Sequence, residues 1–318
     1  MTFDDARLAD MGEGITRVDT NYMRGDATAC YIVNDGKHAC VIDTGAIDGP
    51  GAVLAGLDEL GLEPGDVEYV MPTHVHLDHA GAAGTLMRLF ERAELLAHPR
   101  GARHLIDPTR LAAGARAVYG DENFARYYGE IVPVAAPRVR AVEDGEAVTI
   151  GSRELQFHHT LGHAKHHYCV LDRQSRALFS GDTCGVSFRE FDQDGRSFVF
   201  PAAAPVDFDP DAWLQTLDQL EQLRLSRVYL THFGALDDVE DGLEQLRAGL
   251  REFAEIARSE AHASDLHQAI KLALTDYLLS ALRDYGSPMS ETDALRIMEV
   301  DLEVNAQGLV VWLQRRTV

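Results

Sequence analysis

Basic residues are scarce in this chain: 29 lysines and arginines face 51 aspartates and glutamates over 318 residues, a formal net charge of −22. A surface this negative repels phosphate backbones at long range, which argues against nucleic acid as a partner. The arginines are scattered, so no basic run supplies a local exception. Cysteine is rare as well. Cys30, Cys40, Cys169 and Cys184 form no CxxC pair, which excludes a zinc knuckle or a thioredoxin-type motif. All four are expected to be reduced thiols of structural role, Cys184 being the least settled because of its neighbours. No stretch approaches the roughly 18 uninterrupted apolar residues of a membrane span. Met1 to Gly14 is acidic and lacks the basic start and apolar run of a signal peptide. A cytoplasmic protein without a membrane partner is the expectation.

What is present is an ordinary globular composition, long enough for one large domain and a smaller addition. Ala27 to Val33 and His38 to Asp43 read as strands around the turn signal Asn34-Asp35-Gly36. Gly51 to Leu60 has helical spacing, Val67 to Pro72 returns to strand, and His79 to Phe90 reads as a helix. Two helices are expected within Asp107 to Ile131. Hairpin strands around Asp144-Gly145 follow, and then the strand pair Tyr168 to Asp172 and Ala177 to Ser180. A long irregular segment from Val186 carries Phe188, Phe191, Phe198 and Phe200. Asp211 to Leu223 is helical and Arg227 to Thr231 is the last clear strand. Beyond Asp237 every pattern is helical: Val239 to Ala257, Leu266 to Asp284, Thr292 to Val300 and Asn305 to Arg315. Alternating strands and helices predict layered α/β architecture. The boundary falls near residue 240, dividing a body at 1–240 from a helical extension at 241–318.

The segment that carries chemistry is Thr73-His74-Val75-His76-Leu77-Asp78-His79, between an apolar strand and a helix. Residues two apart in extended chain point the same way, so His74, His76 and Asp78 converge, and His79 enters from the helix start. Imidazole and carboxylate together suit zinc and iron. Four ligand-type residues in six positions at a strand end predict metal binding, where a lone histidine would read as a surface or core side chain. Three further donors follow, each at the end of a strand: His163 in Thr160-Leu161-Gly162-His163, Asp182 in Ser180-Gly181-Asp182-Thr183, and His232 after Tyr229-Leu230-Thr231. Loops gathered on one sheet edge can build a single site from such pieces.

The ordered set HxHxDH, GH, SGDT and a late strand-end histidine resembles the metallo-β-lactamase superfamily, as does the strand ending Val41-Ile42-Asp43-Thr44-Gly45. The resemblance covers roughly residues 15 to 235. It implies an α/β fold, a four-layer αββα sandwich here continued by the C-terminal helices. It also implies a first metal on His74, His76 and His163, a second on Asp78, His79 and His232, and Asp182 bridging both. Zinc is the expected metal, with iron or manganese as alternatives. His76 stands where the superfamily's diiron oxygen reductases usually carry Glu.

Two such ions can share a hydroxide at neutral pH and polarise a carbonyl or phosphoryl oxygen, so no serine or cysteine nucleophile is required. Asp78 or Asp182 can pass a proton to the leaving group. The expected activity is therefore hydrolysis of a small-molecule thioester, ester or lactone. A small-molecule phosphodiesterase with Lys165, Arg189 or Arg196 as cation is the competing reading, and a regulatory protein with incidental hydrolysis is the third. Where thioesterase-like relatives read Gly-His-Thr-Pro-Gly-His, this chain has Gly162-His163-Ala164-Lys165-His166-His167. That departure makes Lys165, His166 and His167 candidate substrate contacts or solvated loop residues. Phe188, Arg189 and Phe198 are candidates from the aromatic segment, whose alternative role is to pack beneath the extension. In some thioesterase-like members helices after the core cover the site. By that analogy Leu266 to Leu282 and Leu309 to Leu313 would form a lid or a homodimer contact, or else cover an exposed core face.

Overall fold

Short β-branched runs build the first sheet. Its strands are β1 (Leu8–Asp10), β2 (Ile15–Asp19), β3 (Ala29–Asp35), β4 (His38–Ile42), β5 (Val67–Met71), β6 (Glu94–Ala97) and β7 (Val139–Ala141), side by side in chain order. This computed structural model describes residues 7–316. Met1 to Ala6, the start of the segment read as lacking a signal peptide, and Thr317 and Val318 lie outside the described residues. The chain forms two units: residues 1–159, 166–181 and 231–234 in the first, and 160–165, 182–230 and 235–318 in the second.

In the first unit, β1 to β4 run antiparallel and β4 to β7 parallel. The β3–β4 pairing closes at Asp35 opposite His38, and Gly36 in the turn has φ +61°. That left-handed conformation costs glycine nothing. Parallel neighbours need long crossovers, and helices supply them. They are α1 (Gly49–Glu59), α2 (Leu77–Ala80), α3 (Ala83–Leu89), α4 (Ala102–Ile106) and α5 (Thr109–Tyr127). Val18, Ile32, Val41, Val53, Leu57, Val70, Leu86, Phe90 and Leu95 form their shared core.

The helix expected from His79 to Phe90 is two pieces. The Ala82 amide donates to the Gly45 carbonyl at 3.0 Å, a bond to the chain just after β4. The break thus falls between α2 and α3, just after the HxHxDH residues. In α5, Gly120 (φ 78°, ψ 161°) breaks the run, so the two helices expected there exist on either side of a kink.

The second sheet of this unit contains β8 (Ala147–Ile150), β9 (Arg153–His159), β10 (Tyr168–Asp172) and β11 (Ala177–Phe179), all antiparallel. The hairpin expected around Asp144-Gly145 instead turns at Gly151-Ser152, because Val139–Ala141 pairs with β6 in the first sheet. An internal ion pair fastens β9 to β10. Arg153 Nη2 donates to Asp172 Oδ2 at 2.6 Å, with side chains 3% and 0% exposed. Cys30, Cys40, Cys169 and Cys184 are all buried and none is in a disulfide.

The second unit holds α6 (Pro210–Glu221), β12 (Arg227–Leu230), α7 (Val239–Ser259), α8 (Leu266–Tyr285) and α9 (Glu291–Arg316); β13 (Gly234–Leu236) begins at the last residue of the first unit. Asp209, Asp238 and Asp265 cap α6, α7 and α8, each accepting a backbone N–H three residues on at 3.1 Å. The C-terminal residues expected as two helices form one, α9. Glu303, where the sequence pattern falters, is held by Lys271 of α8 at 2.7 Å, and Leu302 beside it is buried.

Candidate metal centre

In the first unit the site is organised by a carboxylate that the sequence reading gave no role. Asp43 follows β4 with φ +56° and is buried. Its Oδ1 accepts from the Thr73 amide at 2.7 Å and from Thr73 Oγ1 at 2.9 Å. Its Oδ2 accepts from Thr231 Oγ1 at 2.6 Å and from His79 Nδ1 at 2.8 Å. One side chain thereby ties the end of β4 to both loops that carry ligand-type residues.

With Nδ1 of His79 donating to Asp43, its Nε2 presents a lone pair. That Nε2 lies 3.6 Å from Asp78 Oδ2, and His232 Nε2 lies 3.2 Å from the same oxygen. The other His232 nitrogen, Nδ1, is 3.3 Å from the Ala27 carbonyl and 3.4 Å from Thr28 Oγ1. The donor atoms of Asp78, His79 and His232 all fall within 4.8 Å of one another. Two imidazole nitrogens and a carboxylate oxygen, with one ring fixed from behind by a second carboxylate, form a donor set suited to a divalent metal.

His74 and His76 follow β5, as their spacing requires. His74 Nε2 and His76 Nδ1 face each other at 2.7 Å. Buried His167 stacks on His74 with ring centroids 4.8 Å apart. Gly181 (φ +51°) has to be glycine here: a Cβ would lie 2.5 Å from Thr73 Oγ1 and 2.6 Å from His167 Nε2.

The second unit brings His163 and Asp182 together. His163 Nε2 is 3.3 Å from Asp182 Oδ2, and its Nδ1 donates to the Ala202 carbonyl at 2.8 Å. Trp213 of α6 packs edge-on against the ring, centroids 5.7 Å apart, and donates from Nε1 to the Thr183 carbonyl at 2.7 Å. Gly162 precedes the histidine because Trp213 is so close: a Cβ would sit 2.2 Å from the tryptophan Cβ.

The candidate substrate contacts are dispersed. His166 lies near the motif histidines, with ring centroids 6.1 Å from His74 and 5.7 Å from His76. Lys165 pairs with Asp207 at 3.3 Å, Arg189 with Asp192 at 3.4 Å and Arg196 with Asp241 at 2.9 Å. Phe188 and Phe198 are buried in a ring cluster with Phe191 and Phe200, and Phe198 packs on Tyr285 of α8.

The sequence reading assigned no site role to Tyr22 or Tyr128. Their hydroxyls hydrogen-bond to each other. Burial, then the neighbouring tyrosine hydroxyls, then the charge of Asp78 push both phenols well above their ordinary range. Tyr22, Tyr127, Ala46, Ile47, Asn21 and Arg126 are among the residues around a cleft of about 160 Å³. Leu77, the residue before Asp78, packs in the apolar cluster of Ala46, Phe124 and Tyr128, to which Tyr22 and Tyr127 also belong. Neither tyrosine stands in a recognisable motif, so only the folded chain brings them to Asp78.

The model of the metallo-beta-lactamase superfamily matches residues 23–232. That span is well over half of the chain and includes all seven ligand-type residues. The chain belongs to the metallo-beta-lactamase superfamily. It is 27% identical over 221 residues to a metallo-beta-lactamase fold-containing protein of Sulfurisphaera tokodaii, covering 68% of this chain and 77% of that one. It is 26% identical over 224 residues to the atrochrysone carboxyl ACP thioesterase of Aspergillus fumigatus, covering 70% of this chain and 56% of that one. It is 26% identical over 203 residues to the acyl-coenzyme A thioesterase MBLAC2 of Homo sapiens, covering 54% and 64% respectively. The chain thus spans under two thirds of the length of these two thioesterases.

Among solved structures, a metallo-beta-lactamase family protein of Thermus thermophilus superposes with a TM-score of 0.66 at 18% identity, covering 97% of this chain and 95% of that one. The crystal structure of the archaeal protein from Sulfolobus tokodaii gives 0.64 at 21% identity, covering 94% and 99%. The fold is therefore the superfamily's α/β sandwich, here with the C-terminal helices α8 and α9. The superfamily is one of metal-dependent hydrolases, and the His and Asp donors of this chain suit that chemistry. No helix among the described residues is long and apolar enough to cross a membrane.

Proposed function

We propose that this protein hydrolyses a small acyl thioester with two zinc ions. His74, His76 and His163 would hold the first, Asp78, His79 and His232 the second, and Asp182 would bridge them. The observation that carries the reading is the convergence of His79 Nε2 and His232 Nε2 on one oxygen of Asp78, with His79 fixed from behind by Asp43. When bound, the ions lower the pKa of a water and polarise the scissile carbonyl. Asp78 and Asp182 are the proton-transfer groups: each carboxylate can take a proton from the attacking water and return it to the leaving thiolate.

The thioester class is supported by two similar proteins that carry thioesterase names. The cleft lined by Tyr22 and Tyr127, about 160 Å³, is smaller than the roughly 300 Å³ at which pockets for drug-sized ligands begin, so an acyl group held there would be short. The reading takes a small molecule as partner, in a cytoplasmic setting, without nucleic acid or membrane. A phosphodiester is less well served, because Lys165, Arg189 and Arg196 each already face a carboxylate.

The test is turnover of a matched panel by the zinc-loaded protein: thioesters of graded acyl length, a lactone, a β-lactam and an activated phosphodiester. Preference for short thioesters, abolished in His76→Ala, is expected. Preference for the phosphodiester, or thioester turnover that survives in His76→Ala, would overturn the proposal.

A further inference from the structure

Asn305 lies in the middle of α9 and is only 2% exposed, on a helix face otherwise lined by Ala294, Met298, Leu302, Ala306, Leu309 and Trp312. Burying a carboxamide among apolar side chains costs free energy unless its hydrogen bonds are recovered. Both ends of this one are used on a single short stretch of chain. Asn305 Oδ1 accepts from the Ala203 amide at 2.5 Å, and Nδ2 donates to the Pro201 carbonyl at 3.3 Å.

The peptide groups so held flank Ala202, whose carbonyl accepts from His163 Nδ1 at 2.8 Å. Two glycines press the same stretch into place. A Cβ on Gly308, one turn beyond Asn305, would lie 1.7 Å from the Ala203 carbonyl oxygen, and one on Gly249 of α7 would lie 2.7 Å from Pro201 Cδ. The backbone of 201–203 is therefore gripped by side chain and by close approach.

A carbonyl can only accept, so the Ala202 contact puts the His163 proton on Nδ1. Nε2 is left with its lone pair, on the side of Asp182. We infer that Asn305 is a positioning residue for the metal centre: through the Ala202 carbonyl, helix α9 sets the tautomer and ring orientation of His163. The inference rests on the reading of His163 as a metal ligand. It gives the C-terminal helix a part in the chemistry that is independent of any lid.

The test is zinc affinity, measured by competition with a chromophoric chelator, together with the visible spectrum of the cobalt-substituted protein. Asn305→Ala is expected to bind one of its two metals 10- to 100-fold more weakly, as loss of an outer support for a ligand does, and to change the cobalt spectrum. Gly308→Ala, whose new Cβ would displace the adjoining Ala203 carbonyl and with it the 201–203 backbone, should do likewise. Met298→Ala, buried on the same helix without a contact to 201–203 among those above, should lower the melting temperature and leave both metal readouts at wild type.

Asn305→Asp keeps the acceptor for Ala203 and removes the donor to Pro201, so it serves if the alanine variant does not fold; an intermediate loss is expected. Wild-type affinity and spectrum in the folded Asn305 variants would overturn the inference, provided His163→Ala loses a metal. If His163→Ala binds both metals as tightly as wild type, the ligand reading fails and the inference falls with it.

Discussion

Asp43 and the Arg153–Asp172 pair show two uses of a buried carboxylate. Asp43 is spent on the site, aligning Thr73, His79 and Thr231 by four hydrogen bonds. Asp172 is spent on the sheet. Burial by itself would raise its pKa, but the Arg153 guanidinium and the Ser175 hydroxyl outweigh that and hold it below the ordinary carboxylate value. A carboxylate with a depressed folded pKa adds stability that is complete above its unfolded pKa of about 3.9 and fades as pH falls through the folded value. Asp172→Asn leaves Arg153 charged and buried, which costs about 3–5 kcal/mol at neutral pH. Thermal melts from pH 7 to pH 2 should show the gap between wild type and variant narrowing only below about pH 4. A gap that stays constant down to pH 2 would show that the ion pair is not its source.

At the scale of elements, the strands and helices with strong periodic patterns were legible, and the exceptions have identifiable causes. β1 and β2 are short and are separated by a Gly12–Gly14 turn that hides them; β13 is only three residues long. The displaced hairpin turn reflects a strand, β7, that belongs to the other sheet, which no local pattern records. The ligand-type residues of the first motif stand out in the sequence because HxHxDH packs four donors into six positions. Asp43 stood out only as part of the strand end Val41 to Gly45, without its role, and Tyr22 and Asn305 not at all, since each contacts residues remote in sequence. Asp265, the cap of α8, is a further residue the sequence reading left without a role. Asp265→Ala should cost about 1 kcal/mol and lower the melting temperature by about 2–4 °C. An unchanged melting temperature would show that the cap bond adds nothing to stability.

For the molecule as a whole, the net charge of −22 bears on any anionic substrate. Long-range repulsion slows encounter and is screened by salt, with a Debye length of about 10 Å at 0.1 M. With a thioester whose leaving group is anionic, kcat/KM should rise as ionic strength increases from about 0.01 to about 0.3 M, over which that length shrinks several-fold. A neutral thioester of the same acyl group should show a flat profile. A fall for the anionic substrate would instead reveal a local cationic patch at the cleft, for which Arg126 is the available residue.

The path of the chain has its own consequence for synthesis. The first unit is not complete until residues 231–234 have been added, and each passage of the chain between units falls within a few residues of His163, Asp182 or His232. On the ribosome, the first unit cannot close before residues 182–230 of the second have been made. A nascent chain stopped at residue 230 lacks Thr231, a partner of Asp43, along with His232. The order of translation thus withholds both residues until the four strands β8 to β11 have been made. In evolution the same path discourages exchange of either unit by simple recombination, because no single cut separates them.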